Sequence, residues 1–443
     1  MARKVTTAFS TQLLTARTKL AAWLARPLTS YHLVLATFGL LTAMGLVMVL
    51  SASTVDAINS GKTAYSYFYK QLMYVLVGMV LFVVVLRIKP KTMRRFGFGS
   101  VLVSLGLLVL VLIPGIGKEI NGARSWFIVA GFSFQPVEPA KVALALWGAH
   151  VLVVKRALLN QWRHLMVPVV PAALLMFTLL MLQPDLGSTI TLAIVLMSLL
   201  WFAGAPFRLF GVIALGAVSG ALVLAATAGY RSDRVRAFLD PSSVDSLKEG
   251  FQAQQALLAL GEGGLFGKGL GQSSSKWMYL PNAHNDFIFA IIGEELGFLG
   301  CGTVLLLFGT LAYVGLRIAA RNTDPWIRLV AATLTVWTVT QAVINIGYVV
   351  GLLPVTGLPL PLISSGGSSV VTTMIVFGIL ANFARNEPAC ISALKSGGQG
   401  AVAKMLRLPI PSVYRPPTKR RGKPSPVPPR GRPANPAPAG GRR

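Results

Sequence analysis

The strongest constraint on this chain is a succession of apolar blocks, each nearly free of charge and separated by polar stretches. A helix needs about 20 such residues to cross a bilayer, because in lipid the backbone must satisfy its own hydrogen bonds. The blocks run from about His32 to Ser51, Gln71 to Leu86, Phe98 to Pro114, Val137 to Val154, Leu165 to Gln183, Ser188 to Ala203, Leu209 to Ala228, Phe298 to Leu316, Ile327 to Val350 and Ser369 to Phe383. The chain therefore reads as an all-α polytopic membrane protein with about ten transmembrane helices. A large extracytoplasmic loop, residues 230–285, is expected between spans seven and eight. The composition agrees, at 54% hydrophobic and 12% charged residues with a mean hydropathy of +0.65. The first block lacks a small-residue cleavage pattern after it and is expected to stay as a signal anchor.

A formal charge of +27 would suggest nucleic acid if it were spread over a soluble domain. It gathers instead at the N-terminus, in alternate loops and in the C-terminal stretch, as the positive-inside rule produces, so both termini are placed in the cytoplasm and no nucleic-acid partner is expected. Of the 14 Asp and Glu residues, all but Asp324 and Glu387 fall in or beside segments assigned to the outer side. Three regions follow: a cytoplasmic leader (1–30), a membrane domain (31–386) and a basic, Pro-rich tail (387–443) expected to be disordered. Cys301 and Cys390 lie in different environments and suggest neither a disulfide nor a metal site.

The stretch Trp277 to Gly297, WMYLPNAHNDFIFAIIGEELG, packs Asp286, Glu294 and Glu295 into one short helical run. Glu294 lies eight residues beyond Asp286, about 80° round a helical wheel, and Glu295 falls opposite. Carboxylates beside an apolar helix are costly unless paired, wet or used. Asn285 or Asp286 is alternatively the N-cap of a helix beginning at Phe287. The outer loop carries Arg231, Arg234 and Arg236, an amphipathic helix from Gly250 to Leu260, and repeated glycines from Gly261 to Gly271. Four outer stretches combine Pro, Gly and a few polar groups, which suits backbone lining a cavity: Asn121 to Lys141, Gln183 to Ser188, the long loop ending at Asp286, and Gly351 to Ser369.

The motifs AHNDFIFAIIGEELG and TGLPLPLISSGGSS, in this order between His32 and Arg385, resemble the SEDS family (shape, elongation, division and sporulation), and its division branch more than its elongation branch. The chain departs at Asn285, where Thr is more common, and at Ser365, which replaces an aromatic residue. The resemblance implies a peptidoglycan glycosyltransferase of the bacterial cytoplasmic membrane. It would act at the division septum, polymerising lipid II with release of undecaprenyl pyrophosphate. It also implies a class B penicillin-binding transpeptidase and other division-complex membrane proteins as partners. The family's essential aspartate matches Asp286, a candidate general base. The leaving pyrophosphate needs cations, for which Arg124, Lys141, Arg231, Arg234 and Lys276 are candidates, with a divalent cation such as Mg or Mn as a further one.

Trp126, Glu138, Asp185 and Ser368 complete the expected substrate site. Each has a structural reading beside it. Glu138 and Lys141, three apart, would neutralise one another; Asp185 before Gly187 and Ser188 would be an N-cap; Trp126 would be an interfacial anchor; and the Gly366–Gly367–Ser368 turn would only start a span. A lipid II flippase and a non-enzymatic division scaffold are the competing functions. A flippase should hold ionisable groups along a path through the spans, whereas here the acids gather at one face.

Overall fold

The computed structural model describes residues 22, 24–120, 122–158, 161–213, 215–216, 249–277 and 283–414. In chain order the helices are α1 Thr29–Asn59, α2 Ser66–Arg87, α3 Pro90–Leu110, α4 Val137–Val154, α5 Trp162–Met166, α6 Val169–Leu182, α7 Leu186–Phe202, α8 Glu249–Glu262, α9 Ile288–Arg321, α10 Pro325–Val349, α11 Gly367–Arg385, α12 Pro388–Ser396 and α13 Ala401–Met405. Among the described residues, α1 to α4 and α9 to α11 are long and apolar enough to cross a membrane, and α6 and α7 are shorter apolar helices. The block expected from Val137 to Val154 coincides with α4. The expected seventh span falls largely outside the described residues, as do Arg231, Arg234, most of the leader and the end of the tail.

Local chemistry sets the helix starts. Proline occupies the first turn of α3, α10 and α12, where its missing N–H costs nothing. Asp324 caps α10 by accepting from the Trp326 N–H at 2.9 Å. In the bundle α2 packs along α11, α9 lies between α1 and α10, and α10 also touches α4 and α7. Phe38 of α1 stacks on Phe82 of α2 with ring centroids 4.5 Å apart.

Three features extend or correct the sequence reading. Residues 118–134 form a three-stranded antiparallel sheet, β1 Lys118–Ile120, β2 Ala123–Val129 and β3 Phe132–Phe134, within an otherwise helical chain. Its second hairpin turns at Ala130 and Gly131, both with positive φ, the two-residue geometry whose twist matches the strands. The tail is not disordered from residue 387 onward: α12 buries Cys390, Ile391 and Leu394 on one face, and the Arg87 Nε donates to the Leu406 carbonyl at 2.8 Å. Burial pushes the Cys390 thiol up to about 11, so it stays protonated and inert.

The third feature is a break in α9 at Gly297, whose φ is +65°. The glycine-rich turn after α8 docks into the break. Phe298 and Leu299 donate their N–H groups to the Gly264 and Leu265 carbonyls, while the Glu294 and Glu295 carbonyls accept from the Lys268 and Gly269 N–H groups. This approach tolerates no side chain at Gly267, where φ is +79° and a Cβ would stand 2.2 Å from the Glu295 carbonyl oxygen. Gly267→Ala is expected to cost at least ~1–2 kcal/mol from the backbone conformation alone, lowering the apparent Tm in detergent. Gly261→Ala, with open space around it, should leave the Tm unchanged or slightly raised.

Candidate active site

The N-terminal ends of α2, α4, α7 and α11, the sheet, and the loops before α9 and α11 enclose a cavity of about 520 Å³. Asp286 lines it, and so do Trp126, Glu138, Lys141 and Asp185. The segment carrying Asp286 is not a cap: α9 begins at Ile288 behind Phe287, with no side-chain capping bond. The backbone of Asp286 is fixed instead by α10, since its carbonyl accepts from the Asn345 Nδ2 at 3.0 Å and the Tyr348 hydroxyl at 2.8 Å. The same two groups hold the Leu358 carbonyl, at 2.7 and 2.9 Å, and the Gln341 Nε2 donates to the Pro359 carbonyl at 2.9 Å. One polar stripe on α10 thus pins both the Asp286 segment and the loop facing it. Asp286 Oδ2 points at that loop, 3.6 Å from where a Cβ on Gly357 would stand.

On the opposite wall, the Lys141 Nζ lies 3.0 Å from Glu138 Oε1, both side chains buried, and 4.7 Å from the centroid of the Trp337 ring. The neutralising pair expected from their spacing is formed, and the cation also gains the ring face. Asp185 caps α7, its Oδ1 accepting from the Ser188 N–H at 3.0 Å and its Oδ2 from the Ser188 hydroxyl at 2.7 Å. Gln135 ties the walls together. Its Nε2 donates to Asp185 Oδ2 at 2.8 Å, and its backbone N–H donates to the Ser368 hydroxyl at 3.1 Å. Ser368 is buried behind the surface rather than lining the cavity, and its contact with Gln135 positions the sheet against α11.

Two expected anion clamps lie elsewhere. Arg124 does not line the cavity and reaches Glu119 across the β1–β2 pair, at 3.8 Å. Lys276 is buried with its Nζ 2.5 Å from the Gly271 carbonyl and 3.4 Å from Glu295 Oε1. These two acceptors hold its ammonium away from the Asp286 cavity, which it does not line. Glu294 and Glu295, fully buried, also serve the loop: Glu294 accepts from Ser273, Ser274 and Lys268, and Glu295 from the Ser51 hydroxyl at 2.6 Å.

Lys70 in the first turns of α2 does line the cavity and makes no ion pair among the described residues. Sequence reasoning missed it, because it was read as the edge of a span, and missed Asn345 and Tyr348 as well. The signal for those two was the recurrence of Gln341, Asn345 and Tyr348 at helical spacing in an apolar span. Among the described residues no three His, Cys, Asp or Glu side chains group to hold a metal ion. Glu138 and Asp185 are already committed to Lys141 and to Ser188 and Gln135.

The cell cycle protein family FtsW/RodA/SpoVE matches residues 31–388. The chain belongs to this family. A probable peptidoglycan glycosyltransferase FtsW of Mycobacterium tuberculosis is 51% identical over 93% of this chain and 79% of its own length. The stage V sporulation protein E of Bacillus subtilis is 40% identical over 80% of this chain and 96% of its own. Among solved structures, a chain of a peptidoglycan synthase complex that coordinates polymerization and crosslinking aligns with a TM-score of 0.64 and 28% identity, covering 83% of this chain and 99% of that one. The rod shape determining protein RodA of Thermus thermophilus aligns with a TM-score of 0.59, also at 28% identity and with the same coverage of both chains.

This FtsW/RodA/SpoVE chain is thus a polytopic helical membrane protein of a known architecture, and the buried pair on its cavity wall can be tested as a unit. Lys141→Met strands the Glu138 carboxylate and is expected to cost about 3–5 kcal/mol. The double variant Glu138→Gln/Lys141→Met should recover most of that loss. Apparent Tm values of the two proteins in one detergent measure the difference.

Proposed function

We infer that this chain is a peptidoglycan glycosyltransferase, polymerising lipid II during septal wall synthesis with Asp286 as general base. The observation that carries the residue assignment is the clamping of the Asp286 backbone by Asn345 and Tyr348 at the wall of a cavity shared with Glu138, Lys141 and Lys70. The clamp fixes the backbone from which the side chain leaves, and from there the residue lines the cavity. The carboxylate takes the proton from the acceptor sugar hydroxyl as that oxygen attacks the anomeric carbon. The bond from that carbon to the diphosphate breaks, and the lipid pyrophosphate leaves with the electron pair. Lys70 supplies positive charge at the mouth, and Arg231 and Arg234 remain candidates for the same task. The buried Lys141 acts through its pair with Glu138, which shapes the wall.

We propose that the polyprenyl tail stays in the bilayer while the sugars react on the outer side, and that both termini lie in the cytoplasm, a reading supported by the basic residues of alternate loops. A class B penicillin-binding transpeptidase is the proposed partner, supported by the structural likeness to a chain of a peptidoglycan synthase complex. Other division-complex membrane proteins are proposed to join it. A divalent cation would be held by the substrate's own phosphates and would supply charge neutralisation at the leaving group, with Asp286 kept for the proton.

Purified protein with fluorescent lipid II, its transpeptidase partner present and blocked by a β-lactam, tests the reading on a gel that resolves glycan strands. Asp286→Asn is expected to lower ladder formation by at least ~10²-fold while expression and partner binding persist. Full activity in that variant removes the base assignment. Folded wild type that makes no ladders points to a flippase or a scaffold. EDTA is expected to slow polymerisation, with recovery on adding Mg. The Tm of the substrate-free protein is expected to stay unchanged, because among the described residues no three metal-ligating side chains group together.

A further inference from the structure

A second cavity, of about 710 Å³, lies at the other end of the bundle. The helices that frame it also frame the Asp286 cavity, but with their opposite ends. Tyr67 and Lys70 at the start of α2 face the first cavity and Leu86 at its end faces the second; Gly367 and Arg385 divide α11 in the same way. Along α2 the two linings come nearest at Tyr74 and Leu86, roughly 18 Å of helix apart.

The second cavity is basic. Lys89, Lys91, Arg94 and Arg385 line it against a single carboxylate, Asp324, which is engaged in capping α10. Arg94 is partly engaged, its Nε donating to the His150 Nδ1 at 2.7 Å. Arg385 is not satisfied. It is only 3% exposed, and its Nη2 is buried with no hydrogen-bond partner among the described residues. A buried guanidinium that lines a cavity and makes no ion pair among the described residues is stabilised by an anion that accepts from it. The chain after α13 closes the remaining side, since Pro409 to Tyr414 line the cavity and the Leu408 carbonyl is held by the Gln399 Nε2 at 2.9 Å.

We propose that this cavity binds a phosphate-bearing anion, held by Arg385 at the back and by Lys89 and Lys91 at the mouth, with residues 409–414 as its lid. A planar guanidinium behind two mobile ammonium groups matches tetrahedral phosphate oxygens better than it matches a lone carboxylate. The ligand is either the headgroup of an acidic phospholipid or a free phosphate ion. The site is independent of the glycosyl-transfer reading, because none of its residues reaches the Asp286 cavity.

The full-length protein in a neutral detergent is titrated with dihexanoyl phosphatidylglycerol, with its phosphatidylcholine analogue, and with inorganic phosphate, reading the rise in apparent Tm. The variants are Lys89→Gln/Lys91→Gln, both on exposed positions, and Arg385→Gln. Binding of phosphatidylglycerol about thirtyfold weaker in the lysine variant, from roughly 1 kcal/mol per lysine, identifies a lipid headgroup. Equal weakening with inorganic phosphate, and no preference for the lipid, identifies the free ion. Absence of saturable binding by both anions, or binding unchanged in the lysine variant, overturns the proposal. Should Arg385→Gln fail to fold, the lysine variant alone decides it.

Discussion

Much of the face that carries Asp286 depends on one local failure of helical hydrogen bonding. At Gly297 helix α9 breaks, and the Phe298 and Leu299 N–H groups and the Glu294 and Glu295 carbonyls meet the loop instead of one another. Each of these groups would cost about 1–3 kcal/mol if buried without a partner. The turn from Gly263 to Gly269 supplies all four partners, and only glycine lets its backbone come that close. Irregular backbone at membrane depth is tolerated where protein buries it, and here two irregular stretches satisfy each other. The carboxylates at 294 and 295 then fasten what the backbone has docked.

That docking explains why the acids of the GEEL run divide as they do. Asp286 belongs to the segment before α9, which α10 grips through its carbonyl, so its carboxylate faces the cavity. Glu294 and Glu295 belong to the helix itself and turn toward the serine-rich loop and Ser51, where desolvation is offset by several donors each. One short stretch therefore holds one carboxylate at the cavity and two that serve the packing of the loop. Charge alone does not separate them. Their hydrogen-bond partners do.

The extent to which the sequence was legible follows the range of the interactions. The apolar blocks are local, and they placed α4 correctly to the residue and the amphipathic α8 within a residue or two. Caps and i,i+3 pairs are local too, which is why the structural readings of Asp185 and of Glu138 with Lys141 hold in the fold. Partners distant in the chain were not legible. Lys276 meets Glu295 19 residues away, and Ser51 meets it across 244. No spacing rule reports such pairs, and a sequence-based search for cations near Asp286 counts Lys276 among them. The sheet escaped for a different reason: its strands are three to seven residues long and lie between spans, where alternation is too brief to compete with the hydropathy signal.

The cavity wall shows how a membrane enzyme can present charge to a charged substrate without destabilising itself. Lys141 and Glu138 compensate each other inside the protein, and Trp337 adds a face that favours the ammonium. A neutral pair neither repels an anion nor competes strongly for it, and the exposed cation of the cavity lies at its wetter rim, at Lys70. The rim cation keeps its hydration until a ligand displaces it, and the protein bears no desolvation cost in the resting state. The buried wall supplies shape and a fixed dipole, and the rim supplies charge on demand. This division of labour lets one face of an apolar bundle remain stable while open to a polyanionic headgroup.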